Sequence, residues 1–150
     1  MVVPHRPLPR TEAIAGLVNG LVGLPYSRDG RGPAAWNCWH LCRHVSWAAF
    51  GRELPEYAAA AESDPETARL ILGARASGAW IPIGMQLGAI AALGRGRFPA
   101  HVGIVVLSGR VLHAVEARGV VVDSLARLAL EWRHREYWRY EPLATSAAIY

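Results

Sequence analysis

Apolar residues in the first part of the chain recur every three or four positions, which is the spacing of an amphipathic helix. Residues 11–22 follow this pattern, and their apolar face consists of Ile14, Leu17, Val18, Leu21 and Val22. A second helix is predicted over residues 38–50, because Asn37 is a good N-cap and Gly51 a good stop. Its expected buried stripe consists of Cys38, Leu41, Cys42, Val45 and Ala49.

A third helix is predicted to start within Ser63-Asp64-Pro65-Glu66, with Pro65 at its first helical position, and to run to about Ser77. Beyond it the apolar period shortens, and short apolar segments alternate with glycine-containing turns. Five strands are expected, within residues 86–93, 101–107, 110–116, 119–125 and 137–143. A short helix over residues 124–132 should separate the last two. Helices followed by strands predict an α+β domain, with an antiparallel sheet packed against the second helix.

Two histidines, His101 and His113, bracket one predicted hairpin. A two-residue loop at 108–109 would put His113 on the opposite side of the sheet from His101. A three-residue loop at 107–109 puts His113 across from Gly103, on the same face as His101. That loop also ends on a glycine, which suits the left-handed conformation required there. We therefore predict the second register, with both imidazoles on one face.

The bulk properties indicate one domain within 150 residues, built around its own core. No apolar run reaches membrane-spanning length, so no membrane segment is expected. The N-terminal residues 1–13 lack the apolar core of a secretory signal, which predicts synthesis in the cytoplasm.

All 16 basic residues are arginine and the net charge is +4, which favours anionic partners. The arginines are scattered and are not interleaved with stacking aromatics, so nucleic acid is not expected.

Cys38 stands in the first turn of the second predicted helix, a position that favours a thiolate. His101 could accept its proton and later donate that proton to a leaving amine, while His113 holds the His101 ring. The backbone N–H of Cys38 would help to stabilise an oxyanion. Cys42, one turn deeper, is interpreted as core filling. A zinc site from both cysteines and two histidines is disfavoured, because structural zinc prefers tighter cysteine spacings.

Seven segments in order resemble the NlpC/p60 type of papain-like cysteine peptidase, especially its phage-tail and prophage members. They are "GLPYSRDGRGP", "NCWHLCRHV", "GRELPEY", "LGAIAAL", "HVGIVVL", "VLHAVEARGVVVDSL" and "YWRYEP". The resemblance covers about residues 12–143 of a single domain spanning 1–150. It implies a papain-like fold with the nucleophile at a helix N-terminus, and no cofactor or metal.

By this resemblance, Cys38 is the nucleophile, His101 the general base and His113 the orienting residue. Tyr26 and Trp39 are assigned to substrate or oxyanion binding beside them. The implied reaction is hydrolysis of an amide bond in peptidoglycan stem peptides, between D-γ-glutamate and a diamino acid. The substrate's carboxylates would suit arginines in loops near the cleft, for which the candidates are Arg28, Arg31, Arg97 and Arg118.

The sequence departs from the resembled pattern at three points. Asn37 stands where an aspartate is usual, His40 where a small residue is usual, and Gly88-Ala89 where Gly-Asp is common. None of these removes a triad member. His40 lies beside the expected site, and its ring would narrow the cleft or change what enters it. His44 and His134 have no catalytic arrangement, and His44 is expected at the surface.

The sequence leaves two other functions open. One is a structural tail or baseplate subunit that keeps the fold with little activity. The other is a thiol acyltransferase or amidase that acts on a different amide or ester. For the hydrolase, phage-tail or baseplate proteins are the expected partners besides peptidoglycan. A tail or similar injection device would carry the protein to the periplasm or cell wall.

Overall fold

The computed structural model describes residues 11–57 and 64–142. Its helices are α1 Thr11–Leu21, α2 Cys38–Phe50, α3 Asp64–Ala76 and α4 Leu125–Glu131. Its strands are β1 Trp80–Ile83, β2 Ile90–Gly94, β3 His101–Leu107, β4 Arg110–Val115, β5 Gly119–Ser124 and β6 His134–Tyr140. The N-terminal segment 1–10, the predicted helix start at 63 and the end of the last predicted strand at 143 lie outside the described residues.

Helix α2 begins and ends where the sequence predicts. The Asn37 side chain accepts a hydrogen bond from the backbone N–H of His40 at 2.8 Å, which satisfies one amide of the first turn. Gly51 ends the helix in the left-handed conformation, with φ of 66°. Its N–H returns to the carbonyls of Ser46 and Trp47, so the last turn is also satisfied.

The six strands form one antiparallel sheet in the order β1-β6-β2-β3-β4-β5. The predicted α+β class, with the sheet packed against the cysteine helix, is confirmed. Strand β1 was not predicted, and its Pro82 is a residue that sheets usually exclude. The structure accommodates Pro82 because β1 lies at the sheet edge, where a missing N–H costs no ladder hydrogen bond on the open side.

Three other boundaries differ from the sequence prediction. Helix α3 begins at Asp64, which makes Pro65 its second residue. Strand β2 begins only at Ile90, because the chain before it turns and the N–H of Ala89 donates to the carbonyl of Gln86. Strand β6 begins at His134, earlier than predicted, because its first residues are polar and hide the strand pattern.

Each face of the sheet carries its own core. Helices α1 and α2 pack on one face, which we call the α2 face, against side chains such as Val102, Ile104 and Leu112. Helix α4 covers the other face, which we call the α4 face, where Val105 and Val111 contact Leu128 and Trp132. Successive residues along β3, and likewise along β4, therefore point into different cores, as the strand period of two requires.

The hairpin β3–β4 has the predicted register but not the predicted loop. Leu107 pairs with Arg110, so the turn has two residues rather than three. Between Leu107 and Val105 the register shifts by one, and Val105 pairs with Val111. A bulge at Val106 thus supplies the extra residue that a longer loop would have supplied. The histidine end of the hairpin consequently keeps the register that puts both rings on one face.

Candidate active site

A cavity of about 540 Å³ opens at the end of the sheet where β3 begins. Cys38, the first residue of α2, and His101, the first residue of β3, both line it. Tyr26 and Trp39 line it as well. His113 is fully buried behind His101. The fold therefore gathers all five residues that the sequence assigned to the site.

The cavity runs round the end of the sheet instead of lying between α2 and the sheet. Val102 and Ala114 contribute its wall on the α2 face, whereas Glu131 and Trp132 contribute its wall on the α4 face. The side chain of His101 belongs to the α4 face and stacks on Trp132. Because His101 is the first residue of its strand, it still borders the cavity that Cys38 lines.

Four side chains form a continuous hydrogen-bonded chain that starts at the cavity. Nε2 of His101 lies 2.9 Å from Nδ1 of His113. Nε2 of His113 lies 2.8 Å from Oδ2 of Asp123. The Arg118 guanidinium donates to both Asp123 oxygens, at 2.7 and 2.9 Å. Such a bidentate pair holds the carboxylate in one orientation.

The charges along this chain decide where the protons sit. Burial, only partly offset by Asp123, lowers the pKa of His113, so this ring is neutral at pH 7. Burial alone would raise the pKa of Asp123, but hydrogen bonds from Arg118 and His113 outweigh it and lower that pKa. A neutral ring against a carboxylate donates, so His113 carries its proton on Nε2 and accepts on Nδ1. The donor to that nitrogen is Nε2–H of His101, which leaves Nδ1 of His101 basic.

The His101 ring is held by Trp132, on which it stacks, and by His113, to which it is hydrogen-bonded. It stacks on Trp132 with ring centroids 4.8 Å apart and planes 12° from parallel. The guanidinium of Arg95 lies 4.4 Å from the Trp132 ring centroid. Burial first, and then the proximity of His113 and Arg95, lower the pKa of His101 well below its ordinary value. His101 is therefore neutral, and able to accept a proton, at neutral pH.

Trp39 contributes an apolar wall and not a side-chain donor. Its indole N–H donates to the carbonyl of Pro55 at 3.1 Å, so this N–H already has a partner within the protein. The ring packs against Tyr57 and Trp80 at centroid distances of 5.3 and 6.1 Å. Tyr57 and Trp80 line the same cavity, so aromatic surface borders the space next to the thiol.

The four candidate arginines do not share one location. Arg28 and Arg118 line the cavity, whereas Arg31 and Arg97 do not. Arg31 instead makes an exposed ion pair with Glu56 at 2.8 Å. Because Arg118 gives both arms of its guanidinium to the buried carboxylate, its assignment to substrate binding is replaced by a role inside the protein.

The sequence interpretation missed several charged residues at the site, among them Arg75, Arg95 and Asp123. Arg75 and Arg95 line the cavity, and each lies over a tryptophan ring. For Asp123, the sequence does contain a signal that could have identified it. It is the single acidic residue in the apolar strand β5, and it lies two residues after Val121, which pairs with His113. A period of two therefore puts Asp123 on the face of His113.

The two unusual residues around the thiol contact each other. His40 is buried, and its Nδ1 lies 3.0 Å from Oδ1 of Asn37, the same oxygen that caps the helix. The Asn37 amide nitrogen donates to the carbonyl of Arg28 at 3.0 Å. The bulky ring is thus fixed against the helix cap, and it still borders the cavity.

The remaining expectations for this region can be compared with the structure directly. Neither cysteine is in a disulfide. Cys42 is fully buried among core side chains, as predicted, and burial raises the pKa of its thiol. His44 is exposed, as predicted. Within residues 11–57 and 64–142, no cluster of three or more metal-binding side chains is present. No helix in these ranges has the length and apolarity needed to cross a membrane.

No known family model and no curated protein matches the chain. Solved structures do match it. The chain is similar to the NlpC/p60 domain of the peptidoglycan hydrolase SagA, with a TM-score of 0.52 and 20% identity, over 86% of this chain and 97% of that one. It is also similar to NlpC1 from Trichomonas vaginalis, with a TM-score of 0.58 and 18% identity, over 91% and 46% of the two chains.

A third similar structure is an NlpC/p60 family protein from Bacillus cereus, with a TM-score of 0.57 and 19% identity, over 91% of this chain and 42% of that one. The chain thus spans less than half the length of the last two proteins. At these identities the likeness establishes the fold. The predicted papain-like NlpC fold is confirmed, while membership of a phage-tail branch stays a prediction.

Proposed function

We propose that this chain, which has the NlpC/p60 fold, is a cysteine hydrolase that cleaves an amide bond in peptidoglycan stem peptides. One observation carries the proposal. A cysteine at the N-terminus of a capped helix borders the same cavity as the exposed end of a His101–His113–Asp123 hydrogen-bonded chain. Its similarity to the domain of a peptidoglycan hydrolase supports the choice of substrate.

The proposed reaction uses Cys38 as nucleophile, His101 as base and His113 as the residue that orients the base. Nδ1 of His101 takes the proton from Sγ of Cys38, and the thiolate attacks the carbonyl carbon of the amide. The oxyanion that forms lies near the first-turn amide of α2, where backbone N–H groups lack helical acceptors. Collapse breaks the C–N bond, and His101 returns the proton to the leaving amine. His101 then takes a proton from water, whose oxygen attacks the thioester carbon. The C–S bond breaks to release the acid, and His101 returns the proton to the Cys38 thiolate.

The proposed scissile bond joins D-γ-glutamate to a diamino acid. Both residues carry carboxylates, and Arg28, Arg75 and Arg95 line the cavity, where a substrate carboxylate would compete with Glu136 for Arg75 and with Glu131 for Arg95. Guanidinium pairs with carboxylate in a planar, bidentate geometry. Tyr26, which lines the cavity beside Cys38, is the proposed side-chain contact to the substrate or the oxyanion. Delivery by a phage tail or a similar device stays a prediction.

Digestion of purified muropeptides by the full chain, followed by mass spectrometry, tests this function. We expect products that carry a new free amino group on the diamino acid. The Cys38→Ala variant should give no product. Cys42→Ala is the matched control, because it removes the other thiol from the same helix without touching the cavity. Cleavage that survives in Cys38→Ala would refute the assignment of the nucleophile.

A second candidate function is a thiol acyltransferase or amidase on an apolar substrate. It is favoured by the aromatic wall of Trp39, Tyr57 and Trp80, which would bind an apolar acyl group better than a charged stem peptide. Trapping a Cys38 acyl intermediate and adding an amine acceptor separates the two. Transfer to the amine, with no product from any muropeptide, would replace the hydrolase proposal.

A further inference from the structure

His113 is a buried imidazole with a charged partner on its far side. Its exposed fraction is 0%, and that of Asp123 is 4%. A carboxylate at this depth is expensive unless it is paired and hydrogen-bonded. Here Arg118, which also lines the cavity, supplies the countercharge from the turn after β4. The pair is therefore built into the fold at the inner end of the histidine chain.

The geometry makes the proton positions of both histidines depend on this carboxylate. An imidazole has one donor and one acceptor nitrogen when neutral, so fixing one nitrogen fixes the other. Asp123 can only accept, which requires a proton on Nε2 of His113. That leaves Nδ1 of His113 to accept from Nε2 of His101 at 2.9 Å. Without the carboxylate, either tautomer of His113 satisfies the hydrogen bond to His101.

We propose that Asp123, held by Arg118, is a positioning residue that sets the tautomers of His113 and His101 and thereby leaves Nδ1 of His101 as the base. The proposal rests on the proposed role of His101 in activating Cys38. It adds Asp123 and Arg118 to the three catalytic residues predicted from the sequence, which are Cys38, His101 and His113.

The groups that face the His113 ring support this role. His101 faces it from β3, Asp123 from β5, and Arg118 and Glu131 act on it from the β4–β5 turn and from α4. Among these, Asp123 alone is both charged and hydrogen-bonded to the ring. Glu131 instead pairs with Arg95 at 2.8 Å and lies 3.8 Å from Arg118. The proton on Nε2 of His113 is thus controlled by a single carboxylate.

The Asp123→Leu variant tests the proposal, because leucine has nearly the shape of aspartate but cannot accept from Nε2 of His113. Asparagine would not serve, since Arg118 donates to the same Oδ2 as His113 and would keep the amide oxygen toward the ring. We expect His113 to move its proton to Nδ1 and His101 to move its proton from Nε2 to Nδ1. The reaction of Cys38 with iodoacetamide at pH 6 to 7 should then slow by about ten- to a hundredfold, the effect known for losing the hydrogen-bond partner behind a metal-bound histidine. Glu141→Gln is the control, since Glu141 forms an exposed pair with Arg139.

Two measurements read out the result without any peptidoglycan substrate. Long-range ¹H–¹⁵N NMR of ¹⁵N-histidine protein reports the tautomer of each ring. The pH profile of Cys38 alkylation, followed by mass spectrometry, reports the base. The proposal is overturned by a wild-type His113 that is protonated on Nδ1. It is equally overturned by a folded Asp123→Leu variant with unchanged tautomers and an unchanged profile.

Failure of the variant to fold leaves the wild-type spectrum as the decisive measurement. Arg118→Gln is then the second variant, since it keeps the carboxylate on His113, and both rings should keep the wild-type tautomers. A wild-type protein with the expected tautomers that cleaves no muropeptide would refute the substrate and leave the role of Asp123 intact.

Discussion

The substitution Gly103→Ala tests the contact on which the histidine arrangement depends. Gly103 lies on β3 directly across from His113, because Ile104 pairs with Leu112 in the same ladder. A Cβ added at Gly103 would lie 2.6 Å from Cγ1 of Val111, and 3.0 Å from both Cβ of His113 and the carbonyl oxygen of Leu112. A methyl group therefore meets three atoms that belong to the hairpin itself.

The size of the effect follows from these distances. Carbon atoms in contact normally lie about 3.5–4.0 Å apart, so the methyl group of Val111 would have to withdraw by about 1 Å. Val111 is fully buried, and the Leu112 carbonyl belongs to the sheet backbone, so neither has space to move into. Overpacking of this kind lowers the free energy of unfolding by about 1–3 kcal/mol. The protein should remain folded, because domains are typically stable by about 5–15 kcal/mol.

Urea unfolding and Cys38 alkylation measure the two expected consequences. We expect a lower unfolding midpoint, and slower alkylation because His113 is displaced from its 2.9 Å contact with His101. Gly84→Ala is the matched control, since a Cβ there meets nothing within 4 Å. It should be neutral or stabilising, by about 0.4–1 kcal/mol. A Gly103→Ala protein with the wild-type midpoint and alkylation rate would show that the hairpin register is wrong.

Three further predictions concern pH, the helix cap and the buried thiol. The folded-state pKa values of His101 and His113 lie below 6.5, so the unfolded chain binds more protons under acid conditions. The free energy of unfolding should therefore fall as the pH drops below about 6.5, by at most about 1.4 kcal/mol per pH unit for each ring. Calorimetry at several pH values should show that this dependence of unfolding free energy on pH is weaker in His101→Gln than in the wild type. Asn37→Ala removes the cap on the His40 N–H and should cost about 1–2 kcal/mol in urea unfolding, whereas Asn37→Asp should retain most of that stability. Cys42 should remain unmodified by iodoacetamide until the protein unfolds, and its labelling in native buffer would contradict the packing of α2.

Local signals along the chain were sufficient for most of the elements. Helix α2 is bounded by Asn37 and Gly51, whose capping geometry requires only neighbouring residues. The apolar period separated the helices from the strands for the same reason. Local signals failed at β1, where Pro82 is compatible with a strand only because that strand lies at the sheet edge. Which strand lies at an edge is decided by the whole sheet.

The candidate site, too, could be predicted from the sequence only in part. Cys38, His101 and His113 were identified from motifs and from a register argument, and the structure brings them to one cavity. The loop length behind that register was wrong, because the bulge at Val106 replaced the third loop residue. A bulge leaves little trace in a run of valines, since each residue suits a strand equally well.

The sequence by itself determined the capped helix that carries a cysteine, the paired histidines on one face of a hairpin and the α+β class. These depend on spacing and on short-range backbone preferences. Only the tertiary structure decided that Asp123 and Arg118 complete the histidine chain, and that the cavity runs round the end of the sheet. Those features depend on which strands become neighbours and on which charged groups are buried. Both are decided only when the strands assemble into the sheet and the helices pack on its two faces.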